Sequence, residues 1–157
     1  MSLKKELGLL KSFANQGHET VLNIALTGTL LTKEGHRILL PFGLTEAQFN
    51  ILMLLKHQSV DGRINQTNIG NMLLVNRSNI TGLVDRMEKA GLVRRIADPE
   101  DRRANYVEMT DEGINVLKKA NKAYIERVEE IMSVLSDADY SKLCKILETI
   151  RERLRVP

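Results

Sequence analysis

The most restrictive feature of this chain is a change of hydrophobic period at Gly91. Before it, Gln66 to Leu73 and Arg77 to Ala90 both read as helices, the second with Ile80, Leu83, Val84 and Met87 at the spacing of one buried face. Asn65 stands where the first helix needs an N-cap and Asn76 where the second does, and Gly91 is placed to stop the second. Only Leu74 and Val75 separate the first helix from the second cap. After Gly91 the chain reads as two short antiparallel strands, Leu92 to Ala97 and Asn105 to Met109. They flank a polar turn, Asp98-Pro99-Glu100-Asp101-Arg102-Arg103, whose proline favours a bend. Two helices joined by a turn of a few residues, then a hairpin with a charged tip, are the outline of a helix-turn-helix followed by a β wing.

The flanking segments read as helices. Ser2 to Gln16 carries Leu3, Leu7, Leu10 and Ala14 at helical spacing, with Ser2 as cap and Gly17 as stop. A longer helix is expected from about Glu19 to Leu40, with Val21, Ala25, Gly28, Leu31, Gly35 and Ile38 turned inward. A glycine inside a helix costs about 1 kcal/mol relative to alanine, so Gly28 and Gly35 point to a close helix neighbour or a kink. Pro41-Phe42-Gly43 breaks the pattern; Thr45 and Gln48 then form a capping box, with Leu44 and Phe49 as its hydrophobic staple. The run Ile51 to Leu55 marks that helix as largely buried, and Gln58 to Gly62 ends it. Thr110 caps a helix to about Leu135, with Ile114, Leu117, Tyr124, Val128 and Ile131 inward. Ser136 and Asp139 have the spacing of a second capping box. Tyr140, Leu143, Leu147, Ile150 and Leu154 then form a narrow, heptad-like seam, suited to packing against other helices, including those of a second subunit. The fold class is mainly α with a small β-hairpin wing (α+β). Its organisation is residues 1–43 as N-terminal helices, 44–109 as the winged lobe and 110–157 as C-terminal helices, in one compact chain.

Composition narrows the function. The chain has 157 residues, 43% hydrophobic and 27% charged, as expected of one globular domain. Its formal charge of +3 permits an anionic partner without demanding one. No apolar run approaches the roughly 18 to 20 residues of a membrane-spanning helix, and charge and glycine interrupt MSLKKELGLL too early for a secretory segment. Cys144 is the one cysteine and cannot form an intrachain disulfide, which makes a reducing cytoplasm the expected compartment. Placed on or beside the C-terminal seam, it is expected as a buried, inert thiol. With three Phe, three Tyr and no Trp, the chain is poorly equipped to stack single-stranded bases. His18, His36 and His57 are scattered without the spacing of zinc ligands, and no nucleophile elbow or glycine-rich phosphate loop is present. No catalytic centre, metal or cofactor is expected.

Three blocks, in order, resemble the MarR family of bacterial transcriptional regulators: residues 43–49 (GLTEAQF), 83–93 (LVDRMEKAGLV), and 98–103 (DPEDRR) followed by 107–113 (VEMTDEG). The resemblance runs from about Thr20 to Leu154. Departures are Leu74, where the family often has glycine, Gly70 in place of a usual alanine, and Gly82, where many members carry a longer polar residue. Gly82 removes one contact to base or phosphate and bears on operator sequence more than on DNA binding. The resemblance implies a homodimeric winged-helix repressor, less often an activator, on pseudo-palindromic double-stranded DNA, with half-sites about 10 bp apart. It also implies a cleft for a small-molecule effector, lined from the helices around Thr20 to Leu40, Gln48 to Leu55 and Ile114 to Tyr124.

Candidate contacts follow from side-chain chemistry. At the start of the recognition helix Arg77 suits guanine and Asn79 adenine, Thr81 extends the polar face, and Ser78 and Arg86 suit phosphate. The alternative is that Asn76, Ser78 and Asn79 only cap the helix. In the wing, Asp101 and Arg103 resemble the family's acidic–basic pair, a carboxylate fixing a guanidinium for phosphate or a narrow minor groove, with Arg102 beside them; the alternative is a solvated tip. Arg94 and Arg95 are phosphate candidates, of which only one can face a given side of the strand; Arg95 is the one assigned to DNA. Residues 63–109 hold eight basic and six acidic side chains, three of the acids in the wing, so the field is local. The second reading of the whole chain is a winged-helix dimer serving as a protein-interaction module without specific DNA recognition, favoured by Gly82 and the weak charge.

Overall fold

The computed structural model describes residues 2–11, 13–73, 77–97 and 105–155. Helix α1 is a single turn, Leu3–Glu6, and α2 runs Gln16–Leu39. A 3-10 turn at Leu40–Phe42 leads to α3, Glu46–Gln58. Strand β1 (Arg63–Asn65) precedes α4 (Gln66–Leu73) and α5 (Arg77–Lys89). Strands β2 (Val93–Ala97) and β3 (Asn105–Met109) follow, then α6 (Asp111–Met132) and α7 (Asp137–Arg155). The chain forms two compact units, Met1–Ala120 and Asn121–Pro157, divided within α6. Among the described residues no single helix is long and apolar enough to cross a membrane.

In the first unit the core is built around α3, which packs on α2, α4, α5, β1 and β3. Ile51, Leu52 and Leu55 of α3 are fully buried, as are Ile69, Ile80, Val84, Met87, Val93 and Val107 of the other elements. Each such side chain contributes about 1.5–3 kcal/mol through burial. The expected capping box is present: Thr45 Oγ1 accepts from the Gln48 amide at 3.3 Å and Gln48 Oε1 accepts from the Thr45 amide at 2.9 Å. Its staple residues Leu44 and Phe49 are buried.

The sheet has three antiparallel strands in the order β1-β3-β2. Ile64 lies opposite Val107, and Val107 opposite Arg95. The sequence indicates only β2 and β3, because a three-residue strand is too short to carry a period. Asn65 ends β1 and also caps α4, its Oδ1 accepting from the Thr67 amide at 2.9 Å. Helix α5 ends as anticipated at Gly91, which takes φ 71°. The Gly91 and Leu92 amides return to the Glu88 and Met87 carbonyls, both at 2.9 Å, the paired bonds of a glycine-terminated helix.

The N-terminal expectation is corrected. A helix from Ser2 to Gln16 does not form: Gly8 adopts φ 62° after one turn, and Ser2 makes no capping bond. Asn15 caps α2 instead, its side chain accepting from the His18 amide at 2.9 Å, so Gly17 lies in the first turn of that helix rather than ending the one before. A local cap outweighs four loosely spaced apolar residues. Of the inward set assigned to α2, Gly35 is buried. A Cβ there would collide with the Glu46 carboxylate of α3, which is the close neighbour the glycine implied. Gly28 has no such neighbour, and Val21 and Leu31 are exposed.

The second unit comprises the end of α6 and all of α7. Its capping box is formed: the Asp139 amide donates to Ser136 Oγ and the Ser136 amide to Asp139 Oδ2, both at 3.3 Å. Tyr140 Oη donates to the Met132 carbonyl at 2.8 Å, closing the turn between the helices. No described residue of α7 is buried. Leu143, Ile150 and Leu154 of the seam are exposed, as are Ile114 and Val128 of α6. Cys144 is exposed rather than buried.

Candidate nucleic-acid interface

Helix α5 is two-faced because its apolar residues recur at three and four. Ile80, Leu83, Val84 and Met87 anchor it in the core. On its other sides Asn79, Thr81, Arg86 and Lys89 are exposed. Gly82 lies opposite the buried stripe, and a Cβ built there would sit 3.6 Å from Arg86 Nη1, so the Arg86 side chain lies back along the helix. Thr81 Oγ1 accepts from Gln66 Nε2 at 3.0 Å, linking α5 to the first residue of α4. The backbone of Arg77 and Ser78 falls in the first turn of α5, while their side chains lie outside what is described. Asp101, Arg102 and Arg103, with the rest of the wing turn, and Leu74, Val75 and Asn76 of the interhelical turn also lie outside the described residues.

The two strand arginines point to opposite sides, as alternation requires. Arg94 is exposed and pairs with Glu108, its cross-strand neighbour on β3. Arg95 turns toward α5, where its guanidinium meets Asp85 at 2.5 Å and Glu88 at 2.7 Å. Its Nε donates to Gln66 Oε1 at 3.1 Å and its Nη2 to the Thr81 carbonyl at 3.3 Å. The sequence reading missed this cluster. The available signal was the acidic pair Asp85 and Glu88, three residues apart on a helix expected to face an anion.

The base of the wing is fixed from behind by the start of α6. Thr110 Oγ1 accepts from the Gly113 amide at 3.0 Å and donates to the Gly91 carbonyl at 2.5 Å. The Thr110 amide donates to the Leu92 carbonyl at 3.1 Å. The end of α5, the start of β2 and the start of α6 are thereby joined at one point. Beside it lies a cleft of about 720 Å³ with Leu55, Met109, Ile114 and Leu117 along its walls and Lys56, Arg94 and Lys118 among its polar lining.

Comparison with known proteins places this arrangement. Residues 44–104, which run from the start of α3 through the helix-turn-helix and β2, match the model of the MarR family. The chain is similar to the HTH-type transcriptional repressor YetL of Bacillus subtilis, 33% identical over 73% of this chain and 68% of that one. The crystal structure of AbsC, a MarR family transcriptional regulator from Streptomyces coelicolor, superposes with TM-score 0.82 at 27% identity, covering 94% of this chain and all of that one (100%). That of Sco3205, a MarR family regulator from the same organism in complex with DNA, gives 0.81 at 25% identity over 92% of both chains. Similarity of this extent, over the lobe and over most of the chain, means that the protein belongs to the MarR family of winged-helix transcriptional regulators.

Proposed function

We propose that this regulator is a cytoplasmic homodimeric repressor that binds a pseudo-palindromic double-stranded operator, with α5 in the major groove and the wing on the adjacent backbone or minor groove. The observation that carries the reading is α5 itself. Four buried apolar side chains hold it in the lobe while Asn79, Thr81 and Arg86 are exposed along it. The repressor named among its relatives and the DNA complex of Sco3205 support the same reading.

In this reading Arg77 and Asn79 meet base edges, Ser78, Thr81 and Arg86 hold the helix against phosphate or base, and Asp101, Arg102 and Arg103 serve the wing. Residues 44–109 act as the DNA-binding lobe, and residues 1–43 and 110–157 serve dimerisation. The exposed apolar residues of α7, Leu143 and Ile150 among them, are a surface a second copy would cover, and Val21 and Leu31 of α2 are likewise exposed. An effector, where one acts, is assigned to the cleft behind the wing, whose lining includes residues of β2 and β3.

The test separates base readers from backbone holders on a duplex that the wild-type protein enriches from a random pool. Arg86→Ala should weaken enriched and scrambled duplexes alike and lower the salt slope by about two per dimer, since each phosphate contact contributes about 0.9. Asn79→Ala should relax base preference at one position per half-site, costing about 1–3 kcal/mol. Uniform loss with Asn79→Ala would return that residue to a capping role, and wild-type protein that enriches no duplex would favour the protein-interaction reading.

A further inference from the structure

We propose that Arg95, a residue the sequence suggests as a phosphate ligand, instead positions the recognition helix against the wing. The proposal rests on the DNA-binding reading above and deepens it. A guanidinium offers five N–H donors. In Arg95, Nε donates to Gln66, Nη1 to Glu88 and Nη2 to the Thr81 carbonyl, and Nη2 also forms an ion pair with Asp85 at 2.5 Å. All three guanidinium nitrogens are thus engaged by described residues of the lobe, on a side chain only 22% exposed.

The cluster joins three elements. Gln66 opens α4; Thr81, Asp85 and Glu88 lie on successive turns of α5; Arg95 itself sits in β2. Gln66 completes a ring, its Oε1 accepting from Arg95 and its Nε2 donating to Thr81 Oγ1. Glu88 grips β2 twice, through the Arg95 guanidinium at 2.7 Å and the Arg95 amide at 3.0 Å. That amide lies on the edge of the sheet away from β3, so the side chain of α5 takes the place of a fourth strand. The cluster sets where α5 lies along β2, and through β2 where it lies relative to the hairpin. Its charge argues the same way: one guanidinium between two carboxylates leaves a net negative patch, a poor place for a phosphate.

The experiment uses the full-length protein, the duplex it enriches from a random pool, and a scrambled duplex of the same composition. Arg95→Gln combined with Glu88→Gln removes one charge of each sign and leaves the net charge unchanged. A positioning role predicts tenfold or greater loss of affinity for the enriched duplex, no change for the scrambled one, and an unchanged salt slope. A phosphate ligand predicts equal loss on both duplexes and a slope lower by about two per dimer, which would overturn the proposal. Arg95→Lys, which keeps the charge but not the fork, should fall between the variant and wild type; full retention of discrimination in Arg95→Lys would also overturn it. Amide exchange in free protein reads the clasp without DNA. Faster exchange in α5 and β2 of the double variant, with α3 unchanged, supports the clasp, and unchanged exchange in α5 overturns it even if no duplex is enriched and the DNA-binding reading has failed.

Discussion

At the scale of single residues, two glycines in this lobe carry opposite expectations. Gly113 lies in the first turn of α6, and a Cβ there would run into the Leu92 carbonyl, the group that accepts from the Thr110 amide. That backbone cannot swing aside as a side chain can, so Gly113→Ala should destabilise by about 2 kcal/mol or more, at the upper part of the range for overpacking. Gly82 meets only Arg86 Nη1 at 3.6 Å, an ordinary contact. Gly82→Ala should stabilise the fold by about 0.5–1 kcal/mol, the usual gain for a helix interior. Thermal unfolding of the two variants checks both signs; a neutral Gly113→Ala would remove the wing–α6 junction from this account. The Gly113 outcome could not be read from the sequence. Gly113 and Leu92 meet because the hairpin folds back between them, and no local pattern reports that. For the same reason Arg95 reads as a surface cation until its partners on α4 and α5 are in place.

Among the elements, what was legible is what is local. Both capping boxes, Thr45 with Gln48 and Ser136 with Asp139, can be read because their groups lie three residues apart and close on themselves. The glycine stop of α5 and the span of β3 are equally local. The N-terminal helix and strand β1 were misread or missed: the first lost to a glycine at positive φ and to the Asn15 cap, and the second depends on pairing with β3. The second capping box also makes a pH prediction. Hydrogen bonds from the Ser136 hydroxyl and amide lower the Asp139 carboxyl below the usual carboxylate value of about 4. A depressed folded value stabilises α7 above the unfolded value and loses that stabilisation as pH falls through the folded one. Asp139→Ala should therefore be less stable than wild type near neutral pH, and the difference should shrink toward zero as pH falls through the folded value. A difference that is constant with pH would assign the effect to packing instead.

For the whole molecule, the informative residues are those the single chain leaves uncovered. The seam of α7 reads in the sequence as a buried face, yet Leu143 and Ile150 are exposed, as are Val21 and Leu31 on α2. Periodicity reports that a face is apolar; it does not report which chain covers it. Wild-type protein should sediment as a dimer, and Leu143→Asp, a change at an exposed helix position, should shift it to monomer without unfolding it. A variant that remains dimeric would move the interface away from this seam. Joining two lobes matters for function because a lone recognition helix reaches one half-site, whereas a two-fold dimer reaches two in successive grooves.

The most direct test of the DNA-binding account is titration of the wild-type protein against the duplex it enriches and a scrambled duplex, across a salt series. An operator-binding dimer predicts one dimer per site, enriched binding tighter by at least about a thousandfold, and affinity that falls steeply with salt through several phosphate contacts. Equal affinity for both duplexes, or a slope near zero, would contradict it.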